Sequence, residues 1–303
     1  MIKRLAALAA ALAGAAYVAV AIVGADRITR RPRQPVLLAP ESIGAVWEAV
    51  AFGAAGLAGD LRGWWFPAAN ARRALILVHG RGQNRYDRGW QSDAIARAFL
   101  GRGYSVLLFD LRGHGESAAA RLSYGLRERD DVLGAVAYVR ERGFADTQLA
   151  IIGDSYGAAA LLMALTALPP AVALVADSAY AALWPLIAQE MPKDSPLLAR
   201  LRPGPGIRAA ARLLFRTDLH AARPIDAVRH TPDRPVLFIH GAADTYVPPQ
   251  NSVSLRAASA SPASDLWLVS GAEHSLTYAT APEEWIARVT RFLDDRLRDA
   301  SPA

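Results

Sequence analysis

Short apolar runs alternate with amphipathic stretches along most of this chain. The runs are four to seven residues long, which is typical of strands that are buried on both faces. Predicted strands cover residues 74–79, 104–110, 149–152, 171–177, 235–240 and 265–270. Predicted helices with apolar residues at intervals of three and four cover residues 91–100, 127–142, 249–258 and 282–298. The alternation predicts parallel strands joined by crossover helices on both faces of one sheet.

Two segments depart from this alternation. Residues 46–52 and 61–66 flank a glycine-rich turn, which predicts an antiparallel hairpin at the sheet edge. Residues 180–229 hold apolar helical stretches and several prolines but no clear strand, which predicts a small helical cap. We therefore expect an α/β protein with a mostly parallel, doubly wound sheet of about eight strands and a small helical cap.

The N-terminal segment has a different character. Residues 5–25 carry no charge, and Lys3 and Arg4 precede them. Twenty-one such residues can cross a bilayer core of about 30 Å, and they exceed the ~7–15-residue apolar core of a signal peptide. Small residues at 19–21 and 23–25 leave a cleaved export signal as the alternative. We expect a membrane anchor through residues 5–25, with its orientation open because both flanks are basic.

Composition narrows the classes of function. The chain is 52% hydrophobic and 20% charged, which describes a globular protein, and the absence of cysteine excludes disulfides and cysteine chemistry. Its net charge of +6 comes from arginines that are spread along the chain without any nucleic-acid-binding motif, so we expect no nucleic-acid partner. We divide the chain into an apolar N-terminal segment (1–33), a linker (34–45), one α/β domain (46–299) and a tail (300–303).

A possible nucleophile follows the apolar run 149–152 directly. The sequence Gly153-Asp154-Ser155-Tyr156-Gly157 is succeeded by three alanines. A serine on a sharp strand-to-helix turn needs small residues two positions before and after it, because larger ones would collide with the backbone. This pattern predicts that Ser155 is a nucleophile at the tip of such a turn, while an ordinary Gly/Ser turn is the alternative.

A serine nucleophile needs a base and an orienting carboxylate, each in a loop after a strand. Asp244 follows the predicted strand 235–240, and His274 follows the predicted strand 265–270. The carboxyl ends of parallel strands lie along one sheet edge, so these residues can meet Ser155 in space. We therefore predict a triad of Ser155, His274 and Asp244.

Other candidates for these roles lie in less suitable positions. Asp177 ends a neighbouring strand and is the alternative carboxylate, and His114 lies in a loop at the same edge. The remaining histidines are expected to be structural or solvated: His79, His220, His230 and His240. The oxyanion donors are expected to be the backbone N–H of Tyr156 and, from the glycine-rich loop 79–84, that of Arg81.

Five motifs in order make residues 46–299 resemble the α/β-hydrolase superfamily. They are His79-Gly-Arg-Gly-Gln-Asn84, Asp110-Leu-Arg-Gly-His-Gly-Glu-Ser117, Gly153-Asp-Ser-Tyr-Gly157, His240-Gly-Ala-Ala-Asp-Thr-Tyr-Val-Pro248 and Gly271-Ala-Glu-His274. Within the superfamily the chain looks most like bacterial single-domain hydrolases that are related to serine aminopeptidase and prolyl-oligopeptidase catalytic domains, often with an N-terminal membrane segment. The resemblance implies an α/β-hydrolase fold, the same three triad residues, and neither cofactor nor metal.

These features together predict a serine hydrolase that acts on a small-molecule acyl substrate, an ester, thioester or amide, through an acyl-enzyme. An aminopeptidase would bind a free ammonium with cap carboxylates, for which Glu190 and Asp194 are the candidates. The predicted cap is richer in arginine, which favours an esterase: Arg200, Arg202, Arg208, Arg212 and Arg216. A non-catalytic, membrane-tethered binding protein on the same fold is a further alternative.

Overall fold

The computed structural model describes residues 1–194 and 203–297 of the chain. Its eight strands are β1 (Glu48–Phe52), β2 (Leu61–Phe66), β3 (Arg73–Val78), β4 (Tyr104–Phe109), β5 (Leu149–Asp154), β6 (Ala173–Asp177), β7 (Val236–Gly241) and β8 (Asp265–Val269). They form one sheet in the order β1-β2-β4-β3-β5-β6-β7-β8. Strands β3 to β8 are parallel, while β2 pairs antiparallel with both β1 and β4. The predicted edge hairpin and the mostly parallel sheet are confirmed.

Helices cover both faces of this sheet. They are α1 (Ile2–Thr29), α2 (Ser92–Leu100), α3 (Glu128–Glu141), α4 (Ser155–Ala164), α5 (Leu183–Asp194), α6 (Gly204–Phe215), α7 (Pro224–Arg229), α8 (Gln250–Ala258), α9 (Thr277–Thr280) and α10 (Pro282–Asp294). Short 3-10 turns occur at Pro40–Ile43 and Asp146–Gln148.

The central strands explain the two-layered core. In β3, Ala74, Ile76 and Val78 pack with one hydrophobic cluster, while Leu75 and Leu77 pack with the other. A strand that is buried on both faces has no polar face, which is why these strands are almost uninterrupted apolar runs. The arrangement confirms the predicted α/β-hydrolase fold.

The predicted cap region is helical where it is described. Helices α5 and α6 lie in it, whereas α7 packs against α4 and α8 at the side of the sheet. Residues 195–202, which include Arg200 and Arg202 of the predicted cap, lie outside the described residues, as do 298–303. The side chains of Glu190 and Asp194 are also outside the described part of the chain.

Helix α1 has the length and composition of a membrane span, with residues 1–16 exposed. Its second half packs against α6, and Ala21, Ala25 and Thr29 in this half are buried. The helix is thus free at its N-terminal end and docked on the domain at its C-terminal end.

Candidate active site

Ser155 lies where β5 passes directly into α4. Its φ of 48° is in the left-handed region, which a non-glycine residue adopts rarely. A Cβ on Gly157 would lie 2.3 Å from the carbonyl oxygen of Val78, and one on Gly153 would lie 2.7 Å from the nitrogen of Ala158. Both small residues are therefore required by close backbone approach, as the sequence pattern predicts. The turn presents the Ser155 hydroxyl at the carboxyl edge of the sheet.

The structure brings the three predicted triad side chains together. Ser155 Oγ lies 2.8 Å from Nε2 of His274, and Nδ1 of His274 lies 2.6 Å from Oδ2 of Asp244. The second oxygen of Asp244 accepts hydrogen bonds from the backbone N–H groups of Tyr246 and Val247, at 2.9 and 2.8 Å. These donors hold the carboxylate toward the imidazole, so Nδ1–H donates to Asp244 and Nε2 is free to accept from the serine hydroxyl.

Asp244 is held in its charged form. Burial by itself would raise its pKa, but hydrogen bonds from His240 and His274 outweigh this and lower the pKa to about 2. His240 is fully buried, and its Nε2 lies 3.2 Å from Oδ2 of Asp244 and 2.7 Å from the carbonyl oxygen of Val247. The sequence predicts only a structural role for His240, so its contact with the triad carboxylate is a further finding.

The neighbouring carboxyl groups have the opposite character. Burial, together with the charges of Asp87 and Asp177, raises the pKa of Asp154 well above its usual value. Oδ2 of Asp154 accepts a hydrogen bond from the Ser275 hydroxyl at 2.8 Å. Asp244, whose pKa is lowered, is the carboxylate that contacts the imidazole, whereas Asp154 contacts Ser275.

The alternative candidates lie elsewhere in the hydrogen-bond network. Asp177 accepts hydrogen bonds from Thr277 and from Nε1 of Trp285. His114 Nε2 accepts from the backbone N–H of Gly82, at 3.2 Å. Nε2 of His79 accepts from Leu111 N–H at 3.0 Å. The last two histidines, His220 and His230, lie at exposed positions.

The two predicted oxyanion donors belong to residues that line the same cavity as Ser155. Tyr156 is the second residue of α4, and Arg81 lies in the loop after β3. Within the described residues, neither backbone N–H donates to a backbone or side-chain acceptor. The loop itself is fixed, since Gly80 N–H donates to Asp87 at 3.1 Å and Gly82 N–H to His114. Two unpartnered N–H groups beside a nucleophile are what a developing oxyanion requires.

The Arg81 side chain is an element of the site that sequence reasoning missed. Its guanidinium donates to the hydroxyls of Tyr124, at 3.0 Å, and of Tyr246. The Tyr124 hydroxyl in turn donates to the carbonyl of Ile28 in α1, at 2.9 Å. Ring centroids of Tyr246 and His274 lie 5.0 Å apart. The loop carrying the predicted oxyanion donor is thereby linked both to the triad and to the N-terminal helix.

Ser155 lines a cavity of about 1040 Å³. Its walls come from α1, α5 and α6 as well as from the loops around Arg81 and Tyr246. The sequence gives no sign that α1 would take part, because an apolar stretch looks the same whether it faces lipid or protein. Among the described residues, no group of three metal-ligating side chains occurs.

The fold and this serine turn define the class of an α/β-hydrolase serine enzyme. The Pyrococcus furiosus esterase Pf2001 has the same fold, with a TM-score of 0.71, 22% identity, and coverage of 89% of this chain and 99% of that one. YqkD of Bacillus subtilis is 27% identical over 240 residues, which are 78% of this chain and 76% of that protein. A Mycobacterium tuberculosis protein is 31% identical over 205 residues, 67% of this chain and 64% of its own length.

Residues 90–300 match the prolyl oligopeptidase family, and the chain belongs to this family. It is accordingly a serine hydrolase.

Proposed function

We propose that this serine hydrolase cleaves a carboxylic ester through an acyl-enzyme on Ser155. The observation that carries the proposal is the unbroken chain of contacts from Ser155 through His274 to Asp244, at 2.8 and 2.6 Å. These distances are within the reach needed for general-base catalysis. A thioester or an amide would react by the same steps.

The mechanism follows from the geometry. His274 Nε2 takes the proton as Ser155 Oγ attacks the acyl carbonyl, and the N–H groups of Arg81 and Tyr156 bind the oxyanion. The alcohol leaves with the proton from His274. A water molecule then attacks the acyl-enzyme with His274 again as base, which releases the acid and restores the serine hydroxyl. The ionised Asp244 holds the imidazole tautomer and stabilises its cation throughout.

The charge of the cavity favours an ester over a peptide with a free amino terminus. Among the described residues that line the cavity, none is acidic and four are arginines: Arg27, Arg30, Arg31 and Arg81. A free ammonium group would be repelled there, whereas a neutral or anionic acyl substrate would not. The aminopeptidase alternative would need the carboxylates of Glu190 and Asp194.

We further propose that α1 is retained as a membrane anchor. Its C-terminal half is fixed to the domain by the Asp26–Arg121 ion pair at 2.8 Å, and Leu122 N–H donates to the Thr29 carbonyl at 2.8 Å. Removal of the helix at residue 21 or 25 would leave the apolar face of α6 without cover. This support for an anchor comes from packing, in addition to the helix length.

Labelling with a fluorophosphonate, followed by a substrate panel, tests the catalytic proposal. Wild-type protein should label and should hydrolyse nitrophenyl butyrate faster than amino-acid nitroanilides. Ser155→Ala should abolish labelling and lower kcat by roughly 10⁴–10⁶-fold. Ser254→Ala, at an exposed position in α8, is the matched control and should change neither. Undiminished turnover in Ser155→Ala would refute the nucleophile, and preferred nitroanilide cleavage would favour the peptidase.

A further inference from the structure

The wall of the catalytic cavity includes part of the N-terminal helix. Val20, Val23 and Gly24 of α1 line the same cavity as Ser155, together with apolar residues of the cap helices such as Ile187 and Ile207. Together they give the cavity a long apolar side, well suited to an acyl chain.

Close contacts between α1 and α6 fix this wall. A Cβ on Gly24 would lie 2.8 Å from Cδ1 of Ile207, and one on Gly206 would lie 2.9 Å from the Cβ of Ala21. The hydroxyl of Tyr17 accepts a hydrogen bond from the backbone N–H of Gly206 at 3.3 Å. Small residues at the contact let the two helix backbones approach, as in membrane helix pairs. The wall is therefore a built interface over residues 17–29.

The polar part of the cavity is cationic. Arg27, Arg30 and Arg31 line it at the end of α1, and none of them forms an ion pair with a described acidic side chain. They are exposed, so pairing with an incoming anion carries only a small desolvation cost. A phosphate-type headgroup fits this cluster, because arginine binds phosphate oxygens in bidentate fashion.

The position of the uncharged segment places this cavity beside a bilayer. Residues 5–25 span about 31 Å as a helix, close to the ~30 Å of a hydrocarbon core. Residues 17–25 belong both to this segment and to the docked part of α1. A helix inserted over its whole uncharged length therefore brings the α1-facing part of α6 into contact with the bilayer, and α6 also exposes Leu213 and Leu214, at 77% and 56%. The arginines then lie at headgroup level.

We propose that the substrate is an anionic lipid ester that enters the cavity from the bilayer along α1. Its acyl chain packs against the α1–α6 wall, and its anionic headgroup pairs with Arg27, Arg30 and Arg31. Ser155 attacks the acyl carbonyl, the ester C–O bond breaks, the lipid alcohol leaves with the proton from His274, and water releases the fatty acid. This inference rests on the proposed function, since it uses the same nucleophile.

The test uses the full-length protein reconstituted in vesicles of phosphatidylglycerol or of phosphatidylcholine, with fatty-acid release as the readout. Phosphatidylglycerol should be hydrolysed at least about tenfold faster. The double substitution Arg30→Gln and Arg31→Gln should reduce this ratio toward one. Lys3→Gln with Arg4→Gln removes the same charge at the opposite end of α1 and should leave the ratio unchanged. Equal rates on the two lipids, or equal ratios in the two double variants, would overturn the inference.

A second pair of variants tests the wall. Gly24→Leu places a side chain against Ile207 and in the cavity, whereas nothing lies within 4 Å of a Cβ on Gly14. Both changes add the same apolar surface to the helix. Gly24→Leu should lower phosphatidylglycerol hydrolysis about tenfold or more relative to Gly14→Leu, because it displaces the acyl chain. Matching rates would show that α1 does not bound the lipid site.

Nitrophenyl butyrate separates this inference from the proposed function. A wild-type protein that neither hydrolyses the butyrate ester nor labels with a fluorophosphonate contradicts the serine-esterase proposal itself. One that hydrolyses the butyrate ester but treats the two lipids alike contradicts the lipid substrate alone.

Discussion

Ser155 has a backbone conformation that few serines adopt, and its neighbours make that conformation possible. The carbonyl oxygens of Val78 and His79 lie 2.3 and 2.6 Å from where a Cβ of Gly157 would be. Val78 ends the central strand β3 and His79 follows it directly, so neither backbone atom can move without disturbing the end of that strand. This explains why the glycine spacing could be read from the sequence alone: the turn leaves room for no other residue.

Gly157→Ala is therefore expected to destabilise the fold, although alanine is the better helix former. The helix preference is worth about 1 kcal/mol, whereas overpacking costs about 1–3 kcal/mol or more. Because the clash is with backbone atoms, the upper end of the steric cost applies, and we expect a net loss of about 2 kcal/mol in the free energy of unfolding and a large loss of turnover. Denaturant unfolding measures the change in the free energy of unfolding. Gly53→Ala, where a Cβ meets nothing within 4 Å, is the control and should stay within about 0.5 kcal/mol.

Asp244 allows a prediction about pH. Its pKa is lowered to about 2 in the folded protein, so it contributes stability above the unfolded pKa of about 3.9 and loses it as pH falls toward 2. Asp244→Asn lacks this contribution. The free energy of unfolding of the wild type, relative to that of Asp244→Asn, should be about 1 kcal/mol lower at pH 3 than at pH 6. A difference that stays constant over this interval would contradict the lowered pKa.

The same substitution should affect catalysis at neutral pH. An asparagine in place of Asp244 cannot hold His274 in the tautomer that accepts the serine proton, which typically costs about 10⁴ in kcat. Intact folding with lost turnover would separate this effect from destabilisation. Full activity in a folded Asp244→Asn protein would instead direct attention to Asp177, the other carboxylate that the sequence offers.

At the scale of secondary-structure elements, the strands were predictable because burial on both faces leaves a continuous apolar run. The strand β4 is an example, since every residue from Tyr104 to Phe109 is buried. The observed strand boundaries differ from the predicted ones by a few residues. Strand β1, for example, begins at Glu48 and not at Val46. Whether a hydrogen-bond ladder continues at a strand end depends on the partner strand, which local sequence does not specify.

The role of α1 could not be predicted in this way. Its apolar residues are compatible both with the lipid of a bilayer and with the surface of α6, and hydropathy does not distinguish the two environments. Gly24 and Gly206 mark the contact, but they lie in segments far apart in sequence. Similarly, the contacts of the Arg81 side chain with Tyr124 and Tyr246 join three distant loops. Local patterns thus predicted the triad, while the cavity walls depend on tertiary packing.

At the scale of the whole molecule, we propose that one helix has two parts with different tasks. Residues 1–16 are exposed and form the tether in this proposal, whereas residues 17–29 hold contacts with α6 and the cavity. We therefore predict that the protein isolated from membranes keeps its N-terminal segment. Intact mass measures this directly. A mature chain that begins at residue 22 or 26 would show instead that the segment is a cleaved signal.

Protease sites introduced at two positions in α1 should separate the two tasks in detergent solution. Cleavage after Gly14 lies outside the docked part, so the enzyme should keep its activity on nitrophenyl butyrate, because residues 17–29 remain bound to the domain. Cleavage after Ala25 frees the segment that covers Ile207, which is buried in the intact protein. Exposing this apolar surface costs roughly 25 cal/mol per Å², so we expect aggregation or loss of turnover. Equal activity after both cleavages would mean that α1 is a tether along its whole length.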